Sequence, residues 1–116
     1  TRLNKKLTLM VAFNYSSRSE ILLALKTFLQ NFSSVKLGIS NLNEKTFSSN
    51  LMTKGIPDPD LVIRTSGEQR LSNFLLWQSS YSELLFLNTL WPDFTERTFK
   101  HALSCYSKRK RRFGRI

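Results

Sequence analysis

The sequence is poor in the groups that build covalent and metal frameworks. It has one cysteine, Cys105, and one histidine, His101. A single thiol cannot close an intrachain disulfide, so the fold must stand on its packing. Such cysteine use suits a reducing compartment, and cytoplasm or plastid stroma is the expected location. His101 brings no ligand set of the kind zinc requires, so a zinc site is not expected. No G-x-S-x-G elbow, P-loop or dinucleotide fingerprint occurs, which removes the commonest hydrolase and nucleotide signatures. No apolar run approaches the roughly 18 residues that span a bilayer. The N-terminal "TRLNKKLTLMVAF" reads as the approach to a strand, not as a signal peptide. The chain opens on Thr1 rather than methionine, and we expect it to be part of something longer. Acidic residues are also scarce. Eight Asp and Glu face 18 Lys and Arg, a net charge of +10. Such a surface favours anionic partners: nucleic acid, diphosphates or acidic lipid headgroups.

What is present is a core-building composition. Hydrophobic residues make up 41% of 116 residues, nine of them phenylalanine, enough for one domain and too many for a disordered chain. "KLTLMVAFN" (Lys6–Asn14) is short and almost continuously apolar, as in a strand buried on both faces of a parallel sheet. Ser17 and Glu20 then stand at capping-box spacing. Ile21, Leu22, Leu25, Phe28, Leu29 and Phe32 recur at helical spacing, predicting an amphipathic helix of about 14 residues. Asn43 is placed to cap a second helix over about Glu44 to Thr53, with Phe47 and Leu51 inward and Gly55 beyond its end. "LVIRT" (Leu61–Thr65) predicts a second buried strand, and "ELLFLNTLWP" (Glu83–Pro92) a third. "FLLWQ" is too short to assign. Thr95 caps a final helix with Phe99, Ala102, Leu103 and Tyr106 inward. The expectation is an α/β fold: a mainly parallel sheet flanked by helices.

Ligands of such sheets bind beyond the carboxyl ends of strands. "RTSGEQRLSN" lies there. Arg64 ends its strand, Gly67 permits a bend, and Arg70, Ser72 and Asn73 follow. Two planar guanidinium forks and a hydroxyl suit an anion with several oxygens, such as phosphate. The same spacing equally suits an Arg–Glu surface network around Glu68. Glu83 can be a ligand of a hard cation such as Mg²⁺ beside a bound phosphate, or a solvated residue paired with an arginine. Arg18 can join the anion site or stand exposed in the first helical turn. Trp77 and Trp91 read as core or rim packing. The basic tail suits nucleic acid, acidic lipid or a helix C-terminus.

Four stretches resemble the cis-prenyltransferase family, typified by undecaprenyl diphosphate synthase: "LTLMVAFNYSSRSEI", "GIPDPDLVIRTSGEQRLSNFLLWQSSYSELLF", "LWPDF" and "RKRRFG". The resemblance implies a partial undecaprenyl diphosphate synthase-like fold, with residues 1–116 forming the C-terminal part of a single domain. It implies condensation of isopentenyl diphosphate with an allylic diphosphate such as farnesyl diphosphate. Arg64, Arg70 and Ser72 match the residues that bind the isopentenyl diphosphate headgroup, with Arg18 and Asn73 beside them, and Glu83 matches a Mg²⁺ ligand. A homodimer or a catalytic partner chain is implied, with Arg109 to Gly114 near the interface, and so is peripheral membrane contact by an apolar product. Two departures stand out. Ser16 and Ser17 replace the family's glycine pair, and no "MDGNGRWA"-like stretch is present. The remaining readings are a non-catalytic subunit of a heteromeric enzyme and a basic nucleic-acid-binding module. The second leaves Glu83 and the apolar segments unexplained, and nucleic acid is not an expected partner.

Overall fold

The computed structural model describes residues 3–34 and 39–110. Three α-helices and two strands follow one another: α1 (Ser17–Ser34), α2 (Glu44–Ser48), β1 (Leu61–Arg64), β2 (Glu83–Phe86) and α3 (Glu96–Ser107), with short 3-10 turns at Ile39–Asn41 and Trp91–Asp93. The strands pair in parallel, Leu61 beside Glu83 and Arg64 beside Phe86. Parallel strands need a long crossover. Here residues 65–82 supply it as a series of turns with no helix. The result is the expected parallel sheet with helices around it.

The core lies between α1 and α2. Ala24, Phe47 and Leu51 are buried together, with Ile21 and Trp77 packed against them. The Phe47 and Trp77 rings meet at 4.6 Å, and the Trp77 indole N–H donates to Ser48 Oγ at 3.0 Å. The predicted inward residues of the second helix are thus inward. The helix itself stops at Ser48 and continues only as turns to Gly55, whose φ of +79° is left-handed. Trp91 is exposed and stacks on Phe94 at 5.6 Å.

Two caps form as the spacing predicts. Asn43 and Thr46 make a reciprocal capping box on α2, each accepting the other's backbone N–H at 3.0 Å. Thr95 Oγ1 accepts the Thr98 N–H of α3 at 3.3 Å. The Ser17–Glu20 capping box does not form. Ser17 is the first helical residue, and Asn73, from the crossover, caps the helix instead by accepting the Arg18 N–H at 2.9 Å.

The strand expected over Lys6–Asn14 is absent. Strand backbone is satisfied only by a neighbouring strand, and among the described residues the sheet holds β1 and β2 alone. Leu7, Leu9, Val11 and Phe13 are 82%, 83%, 76% and 93% exposed. On α3, Ala102 is buried, whereas Phe99 and Leu103 stay largely open. The radius of gyration is 17.4 Å, against about 13 Å for a compact chain of this length. Among the described residues no helix is long and apolar enough to cross a membrane.

Candidate functional site

Arg64 is held from both sides. Its carbonyl accepts the Leu87 N–H at 2.8 Å, which fixes the strand end. Its Nη1 donates to Ser72 Oγ at 2.8 Å and to the Arg70 carbonyl. These bonds use one nitrogen of the guanidinium and leave Nη2 and Nε for a ligand. The Ser72 hydroxyl, accepting from Arg64, keeps its own proton to donate. Arg70 lies on the same turn, with its guanidinium on Glu68 and both side chains well exposed. An exposed pair of this kind holds weakly, about 0–1 kcal/mol, and an incoming anion can displace it. The Arg–Glu pairing that the spacing suits is therefore present, and an Arg64–Ser72 hydrogen bond stands beside it at the strand end.

The crossover is bent by left-handed residues. Ser66, Gly67, Ser72, Asn73 and Leu75 all have positive φ, between 45° and 70°. The Ser66 and Gly67 N–H groups donate to the Thr89 and Leu87 carbonyls, tying the turn to the segment after β2. A Cβ on Gly67 would lie 3.2 Å from Asn88 Oδ1, so glycine suits this position on two counts.

Asn73 is committed to structure. Its carbonyl accepts the Ser17 N–H at 2.9 Å, Oδ1 accepts the Arg18 N–H, and Nδ2 donates to Ser16 Oγ at 2.8 Å. This brings Arg18, itself exposed, beside the loop that carries Ser72. The Ser17 Oγ accepts the Leu76 N–H at 3.0 Å.

Glu83 stands elsewhere. It begins β2, beside Leu61, three register positions from the Arg64–Phe86 pair, or about 10 Å along the strands. Its Oε2 accepts from Arg109 Nη1 at 2.6 Å. The structure joins Arg64 and Ser72 but does not bring Glu83 to them. Arg109 and Lys110 are the described part of the basic stretch; residues 111–114 lie outside the described residues. On α3, Cys105 Sγ lies 3.5 Å from His101 Nε2. Among the described residues no group of three or more His, Cys, Asp or Glu is placed to hold a metal.

One cluster escaped the sequence reading. Glu20 is 1% exposed. Its Oε1 accepts the Met52 N–H at 2.9 Å, and its Oε2 accepts from Gln78 Nε2 at 3.1 Å and from the Tyr15 hydroxyl. Gln78 Nε2 also reaches Thr53 Oγ1 at 2.9 Å, while its Oε1 is buried without a partner. Burial and the Glu20 carboxylate push the Tyr15 hydroxyl above its ordinary pKa of 10.0. A signal was available: Glu20 falls four and eight residues before Ala24 and Phe28, on the buried stripe of α1. Beside this cluster an open apolar groove of about 690 Å³ is lined by Met10, Phe13, Met52, Ile56, Phe74 and Leu75, among others.

Residues 1–114 match the family described as "Putative undecaprenyl diphosphate synthase". The isoprenyl transferase of Thermotoga maritima is 57% identical over 109 residues, covering 94% of this chain and 46% of that protein. The ditrans,polycis-undecaprenyl-diphosphate synthase ((2E,6E)-farnesyl-diphosphate specific) of Micrococcus luteus is 46% identical over 114 residues, covering 98% and 46%. Among solved structures, lavandulyl diphosphate synthase from Lavandula x intermedia, in complex with dimethylallyl diphosphate, superposes with a TM-score of 0.83. It is 41% identical, over 87% of this chain and 44% of that one. The chain thus spans about half the length of the curated relatives it matches. With a match along nearly its whole length and relatives this similar, the chain belongs to the undecaprenyl diphosphate synthase family of cis-prenyltransferases.

Proposed function

We propose that this chain carries the isopentenyl diphosphate half of a cis-prenyltransferase active site. The observation that supports this reading best is the locking of Arg64 onto Ser72 at the carboxyl end of β1. The pair offers a fork of guanidinium N–H groups and a hydroxyl proton to one diphosphate, and Arg70 adds a second guanidinium once released from Glu68. The apolar groove borders the same loop, and a cationic cradle beside an apolar surface suits a diphosphate with a hydrocarbon tail. Arg18 extends the positive rim. Asn73 orients this rim through α1.

In the reaction, the allylic substrate (farnesyl diphosphate is the natural candidate) loses its diphosphate as the new carbon–carbon bond forms, and the isopentenyl unit gives up a C2 proton to re-form a double bond. Held by its own headgroup, isopentenyl diphosphate is positioned for attack, and fixing both partners removes much of the entropic barrier. Mg²⁺ fits the residues present as a cation held by one protein carboxylate. Glu83 is a quarter exposed, with one oxygen on Arg109, and Mg²⁺ commonly takes one or two carboxylates and completes its shell with water and phosphate. When bound, the ion supplies neutralisation of diphosphate charge. Arg109 is the group Glu83 must release.

Calorimetric titration with isopentenyl diphosphate tests the site. We expect saturable binding, weakened at least tenfold by Arg64→Ala and less by Arg70→Ala, since a charge-assisted bond contributes about 1.5–3 kcal/mol. Unchanged binding in Arg64→Ala would remove the proposal. A second test is turnover. The 116-residue chain alone should incorporate negligible labelled isopentenyl diphosphate with farnesyl diphosphate and Mg²⁺. Adding a family N-terminal half, as a partner chain or in one polypeptide, should restore elongation. Robust elongation by the chain alone would contradict the half-site reading.

A further inference from the structure

A small polar pocket of about 230 Å³ lies at the end of α2 and the turns that follow it. Lys45, Ser48, Thr53, Lys54 and Asp58 are among its lining residues, and Arg64, Arg70 and Ser72 are not. It is smaller than the roughly 300–1,000 Å³ of sites for drug-sized ligands, so it suits one small group and its water. Two hydroxyls in it are short of acceptors. Ser48 Oγ accepts the Trp77 indole N–H at 3.0 Å, and Thr53 Oγ1 accepts from Gln78 Nε2 at 2.9 Å. A hydroxyl held as an acceptor still has its own proton to donate. Among the described residues neither of these two hydroxyls donates. Both residues are half-buried, where an unmade bond is costly. Lys45 and Lys54 line the same pocket. The ion pairs among the described residues use Arg70, Lys100 and Arg109, so both lysine ammoniums are uncommitted there.

We infer that this pocket is a binding site for a single phosphate group, formed by the Ser48 and Thr53 hydroxyls with the Lys45 and Lys54 ammoniums. All four groups are donors in want of an acceptor, and an anion with several oxygens answers them together. A metal ion does not suit the pocket: Asp58 is the one acid on its lining, and two lysines oppose it. The phosphate has two sources with the same oxygens, free phosphate in solution and the headgroup of an acidic lipid. The second has room for its tail, because Thr53 and Ile56 line both this pocket and the neighbouring apolar groove. The site also carries its own reporter. When the Ser48 O–H donates to an anion, its oxygen becomes a stronger acceptor for the Trp77 N–H, so occupancy reaches the indole.

The experiment follows the emission of Trp77 in the whole chain carrying Trp91→Phe, which leaves Trp77 as the only indole. Inorganic phosphate is titrated at constant ionic strength, with sodium chloride making up the difference. We expect a saturable change that chloride alone does not give. The double variant Lys45→Gln, Lys54→Gln should weaken the response at least tenfold, since it removes both charged donors. Both side chains are exposed, so the fold is not at stake. Asp58→Asn should tighten binding by removing the opposing charge. Vesicles of phosphatidylcholine, with and without phosphatidic acid, form the second arm. A response to free phosphate assigns the pocket a soluble ligand. A response to phosphatidic acid vesicles alone, lost in the lysine variant, assigns it a lipid headgroup. No saturable response in either arm overturns the inference, and so does a wild-type response in the lysine variant. A response lost in Arg64→Ala and kept in the lysine variant would come from the end of β1 and overturns it as well.

Discussion

Tyr15 shows how a single half-buried hydroxyl reports on this site. Burial and the neighbouring Glu20 carboxylate both favour its protonated form. A hydroxyl whose folded pKa lies above its unfolded value contributes stability fully below about pH 10, and that contribution is lost as pH rises through the folded value. Tyr15→Phe removes the hydrogen bond and should cost about 1.5–3 kcal/mol near pH 8, as for bonds to charged groups. The gap between wild type and Tyr15→Phe should then close as pH climbs past 10. Urea melts of both proteins across that range measure it, and a constant gap would mean that Tyr15 does not feel Glu20. At this scale the sequence was legible where chemistry is local. Arg64, Gly67 and Ser72 could be placed on one turn because a strand end and a bend put them there. Glu20 was misread as a cap because its partners lie on other segments, at Met52 and Gln78. Asn73, expected beside the anion site, also bonds the start of α1 through its amide, a contact no local pattern announces.

At the scale of elements, β1, β2, α1 and α3 were legible from apolar periodicity, and Asn43 and Thr95 mark their helices correctly. Each is a local signal. Lys6–Asn14 has the composition of an inner strand and lacks the neighbours that make one, so pairing, which no local pattern encodes, decides its state. The crossover 65–82 was legible only as a polar loop followed by the unassigned run "FLLWQ"; its left-handed bends depend on contacts with α1 and with the segment after β2. Gly67 is the sharpest of these. It combines a φ of +70° with a Cβ position 3.2 Å from Asn88 Oδ1. Gly67→Ala should destabilise the chain by about 1–2 kcal/mol, the cost of a left-handed alanine, plus whatever Asn88 must yield. Thermal unfolding tests this. An unchanged midpoint would mean that the turn relaxes freely and does not brace Arg64.

The whole molecule combines two opposed surface features. Leu7, Leu9, Val11 and Phe13 form a contiguous exposed apolar stretch, of the kind that drives association. The net charge of +10 repels a second copy. Their ranges differ. Apolar contact acts on touching, whereas charge repulsion reaches about a Debye length, roughly 8 Å at physiological salt and 3 Å at 1 M. Salt should therefore promote self-association of this chain, the reverse of its effect on binding to a polyanion, which salt weakens steeply. Sedimentation velocity at low and high sodium chloride should show the weight-average mass rising with salt. The double variant Leu9→Lys, Phe13→Lys should lower that mass at every salt concentration, because it breaks the apolar stretch and adds two charges. Addition of a polypeptide that covers the stretch should do the same without changing the charge of this chain. A mass that falls with salt would show that association is driven by ion pairs and not by the open Leu7–Phe13 segment.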